Sequence, residues 1–176
     1  MSFPLLSSVH LRNWISEHRH LLKPPVGNKV IWKEGAFIVM VVGGPNSRKD
    51  YHYNETPEFY YQIEGNIEVG IQHNGQATSI QVQEGEIYCL PPNTPHQPRR
   101  GAGTIGLVIE QVRLPTQQDA CNWYCEQCNH LLHSASFQCG NIEVDLPVIF
   151  NRFYSSRVLR TCSQCGHIMV PPVAAV

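Results

Sequence analysis

The sequence has little charge and almost no imbalance of it. Thirteen Lys and Arg face 14 Asp and Glu in 176 residues, and no basic run is longer than Arg99-Arg100. Nucleic acid and anionic membrane surfaces are held by clustered cations, so neither is an expected partner; a small molecule is. Long apolar runs are missing too. No stretch approaches the roughly 18 apolar residues of a membrane span. The opening MSFPLLSSVHLRNWISEHRHLLKPP lacks the basic start and unbroken apolar centre of a secretory signal. Together these absences predict a cytoplasmic protein with no membrane partner. The chain is also too short for two ordinary domains and suits one core with a small appendage. No internal repeat or low-complexity segment stands out.

What is present falls into three textures. From Ser8 to Leu22, apolar Leu11, Trp14, Ile15, Leu21 and Leu22 recur near helical spacing, with Ser8 as N-cap and Pro24-Pro25 as the stop. Between Val30 and Gln111 the chain turns to short β-rich runs: VIW, AFIVMVV, EFYYQI, NIEVGIQ, TSIQVQ, EIYCL and TIGLVIEQV. Turn signals separate them, Asn74-Gly75 being a hairpin pair. Many short strands with no helix between them predict an all-β sandwich or small barrel. After Pro115 the pattern breaks. Residues 116–122 read as a polar linker, and from Asn122 a compact cysteine-bearing tail follows, with a short helix around Pro147 to Tyr154 and a frayed end PPVAAV. The expected division is a barrel with its N-terminal helix in 1–115 and a linker plus metal-binding tail in 116–176.

Four of the seven cysteines form two pairs, Cys125-Glu-Gln-Cys128 and Cys162-Ser-Gln-Cys165, separated by residues 129–161. Four thiolates so spaced can surround one tetrahedral Zn(II) or a rubredoxin-like Fe, and the segment between them has too little core to fold unaided. A structural site is therefore expected rather than a redox pair or disulfides, which also suits a reducing compartment. His130, His133 and His167 lie near but are not needed to complete the shell. Cys89, Cys121 and Cys139 read as ordinary thiols.

The stretch DYHYNETPEFYYQIEG carries an unusual density of ligand types for a strand region. His52, Asn54, Glu58 and Gly65 stand as H-x-N-x3-E-x6-G, and Gly85, Pro91, Asn93 and His96 as G-x5-P-x-N-x2-H. These spacings resemble the two motifs of the cupin superfamily, β-barrels that bind metal inside the barrel. The sequence departs from the family at Asn54, where a further histidine is usual, and at Asn93, where glycine is usual. His52, Glu58 and His96 remain: two imidazoles and a carboxylate, the set of a non-haem Fe(II) centre with open positions for substrate and O2. The tyrosines and Phe59 of the stretch are assigned to strand packing.

A closer resemblance is carried by LLKPPVGN, FIVMVVGGPN-x-R-x-DYH, EFYYQIEGN, LPPNTPH-x-P-x-R, LVIEQ-x-R and WYC-x-x-C, together spanning about residues 13 to 168. They are similar to the 3-hydroxyanthranilate 3,4-dioxygenases in their short form with a C-terminal metal knuckle. The resemblance implies a cupin barrel with a small four-cysteine metal lobe, and an extradiol-type cleavage of 3-hydroxyanthranilate by O2 to 2-amino-3-carboxymuconate semialdehyde. That product is the quinolinate precursor in the kynurenine route of tryptophan breakdown and NAD synthesis. The resemblance further implies Fe(II) on His52, Glu58 and His96, a second Fe or Zn on Cys125, Cys128, Cys162 and Cys165, no organic cofactor, and a homodimer. Arg48, Arg100 and Glu110 fall at catalytic, substrate-contacting positions, and Asn28 at a further pocket position. Chemistry fits these roles. A guanidinium binds an aminobenzoate carboxylate through two parallel bonds, so Arg100 is the first choice, with Arg48 assisting the carboxylate or bound oxygen. Glu110 can accept a proton or hydrogen bond from the substrate amine or hydroxyl. The alternatives are another metal-dependent cupin enzyme, or a non-catalytic metal- or ligand-binding cupin whose tail carries electrons.

Overall fold

The computed structural model describes residues 5–23, 27–33, 35–46, 48–140 and 142–172. The expected stop at Pro24-Pro25, and all but the first two residues of PPVAAV, lie outside these residues. The chain opens with α1 (Leu11–His18), continued by a 3-10 turn Arg19–Leu21. His10 rather than Ser8 is its N-cap, accepting the Asn13 N–H at 3.3 Å. An imidazole nitrogen can serve an orphan helix donor as a hydroxyl does, so the residue nearest the apolar stripe takes the position.

Eleven strands follow among the described residues: β1 (Asn28–Trp32), β2 (Phe37–Gly43), β3 (Tyr51–Tyr53), β4 (Glu58–Glu64), β5 (Ile67–His73), β6 (Gln76–Val82), β7 (Ile87–Leu90), β8 (His96–Arg100), β9 (Ile105–Gln111), β10 (Asp119–Tyr124) and β11 (Leu131–Phe137). They form two sheets, ordered β1-β2-β9-β4-β7 and β11-β10-β3-β8-β5-β6, joined antiparallel throughout. Every run expected from the sequence is a strand. The Asn74-Gly75 turn closes β5 on β6 with φ of 51° and 76°, the doubly positive backbone that a two-residue hairpin needs.

Strand alternation makes the core. Met40, Val42, Tyr60, Leu90 and Val108 from the first sheet pack against Ile67, Val69, Ile71 and Val82 from the second, so the two inner faces share one apolar interior. Val41, between Met40 and Val42, points the other way and packs with Ile15, Leu22 and Ile105 beneath α1. The first sheet is thus covered on both faces, as the near-continuous apolar β2 requires.

Two readings of the tail change. The segment expected as a linker runs directly into β10, which pairs with β3 and carries buried Asp119, Ala120, Cys121 and Asn122 into the barrel sheet. The expected short helix begins a turn and a half earlier, as α2 (Ile142–Ser155), with Pro147 inside it, and α3 (Arg157–Arg160) follows. Its apolar stripe of Leu146, Phe150 and Phe153 extends N-terminal to the proline and packs on Trp123 and Cys121 of β10, with Met169. Trp123 is fully buried, stacked on Phe153 at 4.1 Å. Burying such rings supplies the core that the tail could not assemble alone.

Candidate metal and substrate site

His52, Glu58 and His96 come from three strands. The single Cα pair joining β3 to β8 is His52 opposite His96, and Glu58 opens β4 opposite Leu90 and Glu110. One ligand atom of each lies within 4.8 Å of those of the other two, and all three residues are buried.

Their hydrogen bonding leaves one atom of each side chain that an ion can take. His96 Nδ1 contacts the Thr94 carbonyl at 2.9 Å, which places the proton there and the lone pair on Nε2. That Nε2 lies 2.9 Å from Glu58 Oε2, yet Glu58 Oε2 has no hydrogen-bond donor among the described residues. With no metal bound the two form a charge pair: burial lowers the His96 pKa, but Glu58 outweighs it and raises it. With His96 neutral, its Nε2 lone pair and Glu58 Oε2 face one point that a cation can take. His52 Nε2 is held by Asp119 Oδ2 at 2.7 Å, leaving Nδ1 as that ring's lone-pair atom. Burial alone would raise the Glu58 pKa, but the His96 imidazole beside it outweighs this and brings it to about 2. Donor type, number and burial therefore fit a divalent metal with open positions.

The three ligands line a cleft of about 530 Å³ of empty space including its mouth. Its wall also contains Asn28, Arg48, Arg100 and Glu110, so every substrate-side residue expected from the sequence is brought to the same cavity. The two arginines differ. Arg48 is already engaged by Asp50, with Nε on Oδ1 at 3.0 Å and Nη2 on Oδ2 at 2.6 Å. Arg100 is 4 % exposed with no carboxylate in ion-pair range among the described residues. Nη1 donates to Gln62 Oε1 at 3.1 Å and Nε has no acceptor. Burial accordingly lowers its pKa. A desolvated guanidinium facing amides instead of carboxylates is set to receive an anion. Gly106 makes the room: a Cβ there would stand 2.8 Å from Arg100 Nη1 and 2.9 Å from Gln62 Oε1.

Arg113, Asp119 and the Tyr60 hydroxyl escaped sequence reasoning as site groups, and the expected Glu110 leads to the first two. Glu110, its pKa raised by burial and by Glu58, is paired with Arg113. Arg113 in turn holds Asp119 through Nε–Oδ1 at 3.0 Å and Nη2–Oδ2 at 2.8 Å, and Asp119 holds His52. One charge network thus runs from the substrate side of the cavity to a metal-ligand candidate. Arg113 was visible in LVIEQ-x-R; nothing in the local sequence distinguished Asp119. Tyr60, assigned to packing, does pack, but it also lines the cavity, where its buried hydroxyl lies near Glu58 without a well-formed hydrogen bond among the described residues. Asn93 adopts φ 59°, supplying the left-handed backbone for which the motif's usual glycine is suited.

The four cysteines gather as expected, with Sγ atoms 3.5 Å apart in Cys125–Cys165 and 3.6 Å in Cys128–Cys162. Those gaps are too long for disulfides and near the ~3.8 Å edge of a tetrahedron of ~2.3 Å metal–sulfur bonds. The two halves repeat one another. Cys125 N–H donates to His130 O and Asn129 N–H to Cys125 O, while Cys162 N–H donates to His167 O and Gly166 N–H to Cys162 O. Asn129 and Gly166 both have positive φ. The sequence shares this repeat, CEQCNH against CSQCGH, a signal too short to stand out as an internal repeat. Burial raises the Cys162 thiol, but backbone donors from Cys165 and Gln164 overcome it and bring it to about 6. At Cys128 the backbone donor from His130 lowers the thiol, but burial and hydrogen bonds among the clustered sulfurs push it up to about 12: without an ion the four thiols share one negative charge rather than ionising together. His130, His133 and His167 remain outside the cluster.

Comparison with known proteins identifies the family. The family model for 3-hydroxyanthranilic acid dioxygenase matches residues 5–154. The chain is 56% identical over 168 residues to a 3-hydroxyanthranilate 3,4-dioxygenase of Xanthomonas euvesicatoria pv. vesicatoria (strain 85-10), covering 96% of this chain and 95% of the relative. It is 44% identical over 164 residues to one of Jannaschia sp. (strain CCS1), covering 93% and 91%. Among solved structures, a cupin-2 domain protein from Shewanella frigidimarina NCIMB 400 superposes with a TM-score of 0.48 at 18% identity, over 59% of this chain and 94% of that one. Similarity that runs through both the barrel and the cysteine lobe at such identity leaves one assignment: the chain belongs to the 3-hydroxyanthranilic acid dioxygenase family.

Proposed function

We propose that the chain cleaves the ring of 3-hydroxyanthranilate with O2, giving 2-amino-3-carboxymuconate semialdehyde, at Fe(II) held by His52, Glu58 and His96. The observation that carries this reading is Arg100: a buried cation with no counter-carboxylate in ion-pair range among the described residues, in the same cavity as three converging metal-ligand side chains. When bound, the iron supplies a redox-active Lewis acid on which an aminophenol and O2 can be brought together. The residues do the rest. Arg100 binds the ring carboxylate through its guanidinium fork. Glu110, raised in pKa and within reach of Arg113, takes a hydrogen bond or proton from the amine or hydroxyl. Arg48 presents the guanidinium edge not used by Asp50, Asn28 closes one side, and Met40, Val42 and Val108 exclude water. The same reading places the enzyme in the cytoplasm as a homodimer of the kynurenine and NAD-precursor route, with 1–115 extended by β10 as its reaction unit and the rest of 116–176 as its metal-bound tail; no described helix is long and apolar enough to cross a membrane. Protein loaded anaerobically with Fe(II), then given 3-hydroxyanthranilate and ¹⁸O2, is expected to yield a product with both heavy atoms. No product, or a product whose new carboxylate carries no label, contradicts the assignment; the aldehyde label leaves as water when the amine closes on it, so cyclised product keeps one heavy atom.

Two substitutions separate the metal sites. Asp119→Asn keeps the shape but turns the acceptor for His52 Nε2–H into an amide and removes half of Arg113's counter-charge. Metal affinity at the barrel site is expected to fall about 10- to 100-fold, as when other outer-shell partners are lost, measured by competition with a chelator. Cys162→Ser is expected to remove the tail's Fe or Zn and lower the thermal midpoint by about 10 °C while the barrel site keeps its metal, read by metal analysis and a melting curve.

A further inference from the structure

Arg48 lies in the loop between β2 and β3, where a long side chain would ordinarily sample many rotamers. Here it is fixed from several sides. Asp50 takes the Nε and Nη2 edge, Gln97 Nε2 donates to its carbonyl at 2.9 Å, and the Phe150 ring covers one face with its centroid 4.8 Å from Cζ. Only Nη1 is uncommitted among the described residues, on a side chain that lines the cavity. The next residue is tied to the same helix: Lys49 N–H donates to Tyr154 Oη at 3.2 Å, and Lys49 Nζ reaches Glu126, inside the first cysteine pair, at 2.8 Å. Phe150 and Tyr154 both belong to α2, are packed on Trp123, and Tyr154 Oη accepts from Trp123 Nε1 at 3.4 Å.

We infer that Phe150 and Tyr154 of the cysteine lobe are positioning residues for the reaction, clamping the 48–50 loop so that Arg48 offers one guanidinium edge to the ligand. The inference rests on the ring-opening reading above and adds to it a role for the tail beyond holding its own metal. Cation–π contact at a partly desolvated site and one backbone hydrogen bond are each of a size that changes rates severalfold.

A double-mutant cycle tests it on the full iron-loaded chain. Phe150→Leu keeps an apolar filler but loses the ring; Tyr154→Phe loses only a hydroxyl. Each is expected to lower kcat/KM about three- to tenfold with barrel-site iron content unchanged. In an Arg48→Ala background the same substitutions should change kcat/KM by less than about twofold, because the group they position is gone. Equal fold losses in both backgrounds would overturn the inference. If Phe150→Leu does not fold, the Tyr154→Phe cycle decides alone. Absence of 3-hydroxyanthranilate turnover by the unsubstituted protein is seen before any variant is made, and overturns the functional reading instead.

Discussion

His96→Ala is expected to lower kcat/KM for 3-hydroxyanthranilate by about a thousandfold or more and to leave the protein with one metal site instead of two. His96 is 1 % exposed, its Nδ1 committed to Thr94 and its Nε2 aimed at the space shared with Glu58 and His52. Without it, two protein ligands remain, and Glu58 is left as a buried carboxylate deprived of its nearest cationic neighbour. Losing an outer-shell partner costs metal sites about 10- to 100-fold, so losing a direct ligand costs more. The cysteine lobe supplies the internal control. It is built on different strands and helices, so retained tail metal shows that the fold survives and that the lost turnover belongs to the barrel site. Turnover and barrel iron that both persist would remove His96 from the site.

Arg100→Lys should raise KM by about 30- to 1000-fold with a smaller change in kcat. The substitution keeps the charge, so the effect measures geometry. A lysine offers a point charge on a flexible stem, whereas the guanidinium gives two parallel donors held by Gln62 in the space left by Gly106. Half-pairing a buried carboxylate costs about 2–4 kcal/mol. The discriminating measurement is 2-aminophenol, which has the chelating pair without the carboxylate. Its weak binding should be nearly the same in the two proteins, measured anaerobically with the iron-loaded forms. An equal loss for both ligands would show that Arg100 supports the pocket rather than reads the carboxylate.

How much of this was legible depended on where the strands point their polar residues. Runs such as FIVMVVG and EFYYQIE alternate or fill with apolar residues and declared themselves. The strands β3, β8 and β10 did not, because their buried positions include His52, His96, Gln97, Arg100, Asp119 and Asn122, and β8 also holds Pro98. Function had replaced the apolar pattern by which a strand is recognised. Motif spacing recovered the ligands, since three side chains must meet at one point from fixed strand positions. It could not reveal which arginine was already paired. Asp50 sits two residues from Arg48 and neutralises it, while Arg100 has only an amide 38 residues away in sequence, a difference settled by tertiary packing. Asp119 was hidden for the same reason: a polar residue in a polar segment becomes a site residue only once β10 pairs with β3.

In the proposed enzyme three side chains from β3, β4 and β8 share a single iron. Anomalous X-ray scattering at the iron edge, on crystals of the full chain loaded anaerobically with Fe(II), tests it most directly. An iron peak bonded to His52, Glu58 and His96, with the remaining positions open toward Arg100, is the expected result. Iron found at the four cysteines alone, with the barrel side chains bonded to one another instead, would contradict it.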